Sequence, residues 1–231
     1  MQFRRLIHSF IGLFYPKLCE ACGISLGRNE HVMCTSCIYH LPRTDYWNEG
    51  GNPVEKLFWG RVKLEHACAF FFFTKGSRFR KLLHQLKYNG KKEIGIELGR
   101  RLGLELKKAP LYQTIDMVIP VPLHPKRQRK RGYNQSEQIA AGISVATGWL
   151  TDARSLIRTS YTETQTRKGK IERWENVSKV FAVKYPEHLK NKHVLLVDDV
   201  ITTGATIEAC ATCLLEIEGC KVSVVALAYA K

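Results

Sequence analysis

The sequence lacks any apolar run long enough to span a bilayer, which excludes a helical membrane anchor within it. The opening MQFRRLIHSFIGLFYP mimics a signal peptide, with a basic start and about ten apolar-leaning residues. It has no small-residue cleavage site; Pro16-Lys17-Leu18-Cys19 follows instead. The segment is therefore read as amphipathic and packed on the domain behind it, and the protein as cytoplasmic. There is no GxxxxGK(S/T) and no strand-linked GxGxxG, so neither a P-loop nor a dinucleotide fingerprint is present. Internal repeats and low-complexity tracts are also missing. Acid is scarce: 21 Asp and Glu stand against 36 Lys and Arg, a formal net charge of +15. Such a balance favours a polyanionic ligand, either nucleic acid or a phosphorylated metabolite, over an indifferent basic surface.

What is present begins with cysteine. Cys19-x-x-Cys22 is followed, eleven residues later, by Cys34-x-x-Cys37. Two such knuckles suit one tetrahedral zinc ion, because each pair folds round the metal in a tight turn and four thiolates close the site to water. Disulfides and a redox-active CxxC are the rivals; a cytoplasmic setting disfavours the first. A closed site is structural and holds a piece too small to fold alone. Cys210 and Cys213 also spell CxxC, but Cys210 lies on a helical stripe with Ile207, Leu214 and Ile217, and a small buried thiol in a helix core is the better reading.

Three regions follow from the pattern: a zinc-bearing head (1–45), a connector (46–65) and an α/β domain (66–231). ACAFFFF (67–73) reads as a strand. SRFRKLLHQLKYNG reads as a helix with Phe79, Leu83 and Leu86 on one face and Asn89-Gly90 as its stop. A second helix carries Ile94, Leu98 and Leu102, with Gly95, Gly99 and Gly103 as a close-packing face. A short strand lies in DMVIPVPLHP (116–125). The helix after it is capped by Asn134 with Glu137 and turns Ile139, Ile143 and Ala146 inward. Strands around Leu156-Ile157, in HVLLVDD and in KVSVVALAYA, with a helix over 204–218, complete an alternation that predicts a largely parallel central sheet flanked by helices. Of the connector aromatics, Tyr46, Trp47, Phe58 and Trp59 either pack the connector on the domain or stack on bases.

VLLVDDVITTGAT (194–206) concentrates the chemistry. Ligands of such sheets bind beyond the carboxyl ends of the strands. Asp198 and Asp199 at a buried strand's end need a partner, either sugar hydroxyls or a magnesium ion. The loop after them offers Thr202, Thr203 and Thr206 hydroxyls, Gly204 for close approach, and backbone N–H groups at a helix start, which together cradle a phosphate. A phosphate beside vicinal hydroxyls describes a ribose 5-phosphate.

All thirteen residues resemble the phosphoribosyl-pyrophosphate (PRPP) signature of type I phosphoribosyltransferases. The order CxxC…CxxC, LKYNG, PVPLHPKRQRKRGYNQSEQIA, Gln165…Arg173-x-x-Asn176…Phe181 and then the signature resembles the ComF family (also termed GntX, amidophosphoribosyltransferase-like) over nearly the whole chain. The resemblance implies a type I phosphoribosyltransferase fold with ribose hydroxyls on Asp198 and Asp199. It places the 5-phosphate on Thr202, Thr203, Gly204, Ala205 and Thr206, with Val200 also among the PRPP contacts. It puts pyrophosphate on the Lys87-Tyr88-Asn89-Gly90 loop. A mobile basic lid is implied at Lys126–Tyr133, with Arg127 and Arg131 as contacts and magnesium accompanying PRPP. The implied reaction displaces pyrophosphate from the anomeric carbon by a nitrogen nucleophile. Thr202 stands where purine-salvage members often carry Asp, and it cannot act as a general base at neutral pH, so a purine acceptor is not expected. No N-terminal cysteine is free for glutaminase chemistry. The family further implies a role in natural transformation or use of external DNA, with single-stranded DNA and a DNA-uptake helicase as partners. Single-strand binding and PRPP sensing without turnover stand as alternatives. The KRQRKR run serves equally as lid, DNA contact or solvated face.

Overall fold

The computed structural model describes residues 16–74, 76–159 and 180–230. The amphipathic reading of the first residues and the Gln165, Arg173 and Asn176 positions lie outside them. Five strands form one parallel sheet: β1 (Ala67–Phe73), β2 (Met117–Pro120), β3 (Leu150–Thr151), β6 (His193–Ile201) and β7 (Lys221–Ala230), in the order β1-β7-β6-β2-β3. β4 (Leu156–Arg158) and β5 (Phe181–Val183) pair antiparallel beside it. β6 and β7 are apolar on both faces because helices cover both, as parallel sheets require.

Leu195, Val197, Val225 and Leu227 face one layer of helices: α3 (Arg78–Tyr88), α4 (Lys92–Leu106) and α6 (Gln135–Thr147). Val194, Leu196, Val222, Val224 and Ala226 face the other, built from α7 (Ala205–Leu215) and the β4–β5 pair. α6 carries the chain from β2 outward to β3, whereas α7 carries it from β6 in the opposite direction to β7. The neighbouring strands β2 and β6 therefore send their helices apart, and a crevice opens between their carboxyl ends, where ligands of doubly wound sheets bind.

Among the described residues of the head, α1 (Thr35–Tyr39) is the one helix. Cys19, Ala21, Val32, Met33, Cys34, Cys37 and Leu41 are buried in the same core as α3 and α4. Three polar contacts tie it down: Lys91 Nζ to Glu20 at 2.9 Å, Arg43 to Glu105 at 3.1 Å, and Arg78 Nη1 to Cys37 Sγ at 3.7 Å. Residues 42–44 then run along the outer edge of β1, with Phe72 N–H donating to Pro42 O and Thr44 N–H to Phe70 O. This covers an edge that would otherwise be open to strand addition. In the connector, a one-turn helix α2 (Pro53–Lys56) starts on Asn52, whose side chain caps it. Trp47 and Phe58 are buried and Tyr46 is partly buried, so three of the four connector aromatics pack inward; Trp59 stays 62% exposed.

The glycine face of α4 meets α6 backbone to backbone, as its spacing predicts. A Cβ on Gly99 would lie 2.2 Å from the Ile139 carbonyl oxygen, and one on Gly142 would lie 2.1 Å from that of Ile96. Among the described residues, no helix is long and apolar enough to cross a membrane.

Gly99→Ala and Gly142→Ala should each destabilise the fold by about 3 kcal/mol, against the roughly 1 kcal/mol that alanine gains in a helix. Urea melts check this, and unchanged midpoints would mean the two helices separate without penalty.

Candidate functional site

β6 does not end on its two acids. It stays paired with β7 through Ile201, opposite Tyr229, so Asp198 and Asp199 sit within its last turn of pleat rather than beyond it. The alternation of the strand therefore divides the pair. Asp198 accepts from the Asp199 N–H at 2.8 Å and from Ser136 Oγ at 3.1 Å. Asp199 forms an ion pair with Lys87 Nζ at 3.0 Å. Burial, and then the charge of Asp199, raise the Asp198 carboxyl from 3.8 to about 7, although the Asp199 N–H, Ser136 and Lys87 oppose the shift.

Ser136 reaches Asp198 because the block Tyr133–Ser136 is tied down residue by residue. The Tyr133 hydroxyl donates to Leu86 O, at the end of α3. Asn134 Nδ2 donates to Val121 O just past β2, and Asn134 Oδ1 accepts from Ser136 N–H as the N-cap of α6. Arg131 donates to Gln135 Oε1 at 2.7 Å. Three elements distant in sequence are thus fixed around one carboxylate.

Beyond β6, the chain turns through exposed Thr202 and Thr203 into Gly204, with φ of 77°, and then into α7. Glu208 N–H makes the first intrahelical bond, to Gly204 O, so the N–H groups of Ala205, Thr206 and Ile207 precede the helical ladder. Asp198 and Val200–Ile207 line a small pocket of about 50 Å³ here. Gly204 packs against Phe58 of the connector, whose ring a Cβ would meet at 2.8 Å.

A second cavity, of about 360 Å³, is lined by Lys87, Tyr88, Arg127, Lys130 and Arg131. The structure thus brings Lys87 and Tyr88 of the expected pyrophosphate loop together with Arg127 and Arg131 of the expected lid, adds Lys130, and leaves Asn89 and Gly90 outside the lining. The Arg131 guanidinium lies 5.2 Å from the centroid of the Tyr88 ring, and Tyr88 is 61% exposed. Lys87, which lines this cavity, pairs with Asp199, the neighbour in sequence of the Asp198 and Val200 that line the small pocket. The basic run is not a loop: Pro125–Arg131 forms the helix α5, with Pro125 in its first turn, His124 capping Lys126 N–H, and Gly132 in the left-handed region at its end. Arg129, Lys130 and Arg131 lie in its last turn, where cations complement the helix dipole.

The other cluster lies in the head. The ligand atoms of Cys19, Cys22, Cys34 and Cys37 all lie within 4.8 Å of one another, with Cys22 and Cys34 Sγ 3.7 Å apart. A tetrahedron with Zn–S bonds of about 2.3 Å has edges of about 3.8 Å, so these donors fit a single such ion. Against the desolvation of burial, N–H groups of Cys34, Cys22 and Ala21 pull Cys19 down to about 7; burial and the neighbouring sulfurs push Cys37 up. Cys210 is fully buried beside Ala211 and Leu214, as its helical stripe predicts.

Sequence reasoning did not single out Ser136, Lys130 or Arg61, and it gave Phe58 only as a connector aromatic, without its contact to Gly204. Ser136 and Lys130 stand inside motifs that were already suspect. Nothing local marks Phe58 or Arg61, whose contact with the loop spans about 140 residues of sequence.

Because the folded Asp198 carboxyl sits above its unfolded value, the native state holds that proton longer, and stability falls as pH rises from about 4 to about 7. Asp198→Asn should therefore melt higher than wild type at about pH 8, by the order of 1 kcal/mol, and lose that advantage near pH 4. Equal melting curves at both pH values would remove the strained carboxylate.

Residues 109–231 match the phosphoribosyl transferase domain family. The DNA utilization protein YhgH of Escherichia coli O157:H7 is 34% identical over 201 residues, which cover 86% of this chain and 78% of the relative. Competence protein F of Haemophilus influenzae is 31% identical over 133 residues, 54% of this chain and 57% of the relative. Competence protein ComFC of Bacillus subtilis is 29% identical over 145 residues, 62% of this chain and 56% of the relative. With this match over β2 to β7, the acid-bearing strand included, and with these relatives, the chain belongs to the phosphoribosyl transferase domain family and to the ComF group within it.

Proposed function

We propose that the chain binds PRPP across its two pockets and acts in the utilisation of DNA, the role that the names of its relatives carry. The observation that supports this best is the Lys87–Asp199 pair, which joins an acid-bearing phosphate loop to a cationic cavity. The ribose hydroxyls donate to Asp198 and Asp199. The 5-phosphate takes the N–H groups and hydroxyls from Thr202 to Thr206, at the positive end of α7. Pyrophosphate lies among Lys87, Tyr88, Arg127 and Arg131. On binding, Lys87 turns from Asp199 to the pyrophosphate, and the diol replaces it.

The reaction this arrangement supports is transfer of the phosphoribosyl group to a nitrogen nucleophile. The C–N bond forms as the bond to pyrophosphate breaks, and the departing electron pair is stabilised by the cavity's cations. Bound with PRPP, magnesium would neutralise further charge on the leaving group. Zinc on Cys19, Cys22, Cys34 and Cys37 would be structural, with no position open to substrate.

One observation favours a second use of the same surface. Tyr88 is exposed with a guanidinium on its ring and His84 4.8 Å from it, amid Lys87, Arg127 and Lys130. A cationic groove with an aromatic platform is what single-stranded nucleic acid requires.

Calorimetry with PRPP and magnesium should give saturable binding to wild type, weakened at least roughly tenfold by Asp199→Asn. No heat from wild type would remove the PRPP reading. Binding of a fluorescent single-stranded oligonucleotide should weaken steeply with salt, and Tyr88→Ala should lower it roughly tenfold at fixed salt. Strand binding that is insensitive to both would take DNA off this surface.

A further inference from the structure

Arg61 lies in the connector, outside the residues matched to the transferase domain and 142 positions from the loop it touches. Its Nη1 donates to the carbonyl oxygens of Leu57 and Thr203, each at 2.9 Å. Its Nη2 pairs with Glu208, and both side chains are about one-third exposed. Three residues before it in the chain, Phe58 fills the space a side chain on Gly204 would need.

Two consequences follow for the loop. In a trans peptide the carbonyl and the next N–H point in opposite directions. The peptide between Thr203 and Gly204 is trans, as are all among the described residues. With Thr203 O held by Arg61 on the connector side, the Gly204 N–H is aimed away from the connector. Gly204 has no Cβ to hinder rotation of that peptide, so the loop alone would not fix this orientation. The second consequence is electrostatic. Glu208 stands in the first turn of α7, where a carboxylate opposes any phosphate bound at the same helix end. Arg61 offsets that charge.

We propose that Arg61 is a positioning residue for the phosphate loop: it sets the Thr203–Gly204 peptide with its N–H free for the ligand, and it neutralises Glu208 so that a phosphate dianion is accepted there. The phosphate group recognised is the 5-phosphate of a ribose phosphate, so the inference rests on the reading above. It makes the connector a working part of the site.

The test is calorimetry on the full chain with two probes, ribose 5-phosphate for the loop and inorganic pyrophosphate for the cationic cavity. Arg61→Ala should weaken ribose 5-phosphate roughly ten- to hundredfold and leave pyrophosphate within about twofold, a split that general loosening of the fold would not produce. Arg61→Ala combined with Glu208→Gln should regain part of the loss, the electrostatic share. Arg61→Lys, which restores charge but not the fork that holds both oxygens, should fall between. If Arg61→Ala binds ribose 5-phosphate as wild type does, or loses both probes equally while Glu208→Gln restores nothing, the positioning role is wrong. If wild type binds neither probe, the ribose-phosphate reading itself fails, and the role of Arg61 with it.

Discussion

Two adjacent carboxylates at the carboxyl end of a buried strand are the constraint around which this molecule is arranged. Placing Asp198 and Asp199 there costs free energy in proportion to their desolvation and mutual repulsion. The surroundings answer one charge at a time. Lys87, at the end of α3, offsets Asp199, and Ser136, at the start of α6, donates to Asp198. Neither helix is next to β6 in sequence. Their ends converge on the acids because Tyr133 reaches Leu86 and Asn134 reaches Val121. The unmet part of the cost shows as a carboxyl that gives up its proton late. A ligand able to donate hydrogen bonds to both acids would relieve it, and that relief would add to its affinity.

The head and connector belong to this arrangement. The four cysteines share one core with α3 and α4, and Arg78, in the first turn of α3, donates to Cys37. Lys87 lies in the last turn of the same helix. An ion held by the cysteines would therefore steady the helix whose far end reaches Asp199. Phe58 and Arg61 hold the loop after β6 in a corresponding way, against Gly204 and at Thr203 O. The transferase-like sheet is thus clasped on two sides by residues that precede it.

Much of this was legible in the residues, and the reasons are local. β6 and β7 read as buried strands because apolar residues run without alternation, and α4 read as a packing helix because glycine recurs every fourth position. The cysteine pairs and the acid-bearing strand carry their chemistry in short spacings. The extent of β6 was less legible, since two acids suggest an end while Val200 and Ile201 keep their register with β7. The charge of the basic run leaves lid, DNA contact and solvated face equally open; its helical form rests on cues of conformation, Pro125 at its start and Gly132 at its end. Arg61 was invisible because its role depends on where residue 203 falls in space, and no pattern in the connector encodes that.

The contact of α4 with α6 has a consequence for how this protein tolerates change. Gly99 and Gly142 touch no ligand, yet each admits no further atom, because a partner's main chain already occupies that space. The contact also fixes where α6 begins, and with it the height of Ser136 beside Asp198. In a saturation screen scored by growth or binding, the two glycines would stand out as sharply as the acids. A map of intolerant positions would draw the candidate site too large, extending it along an interhelical seam that keeps two backbones at a fixed distance.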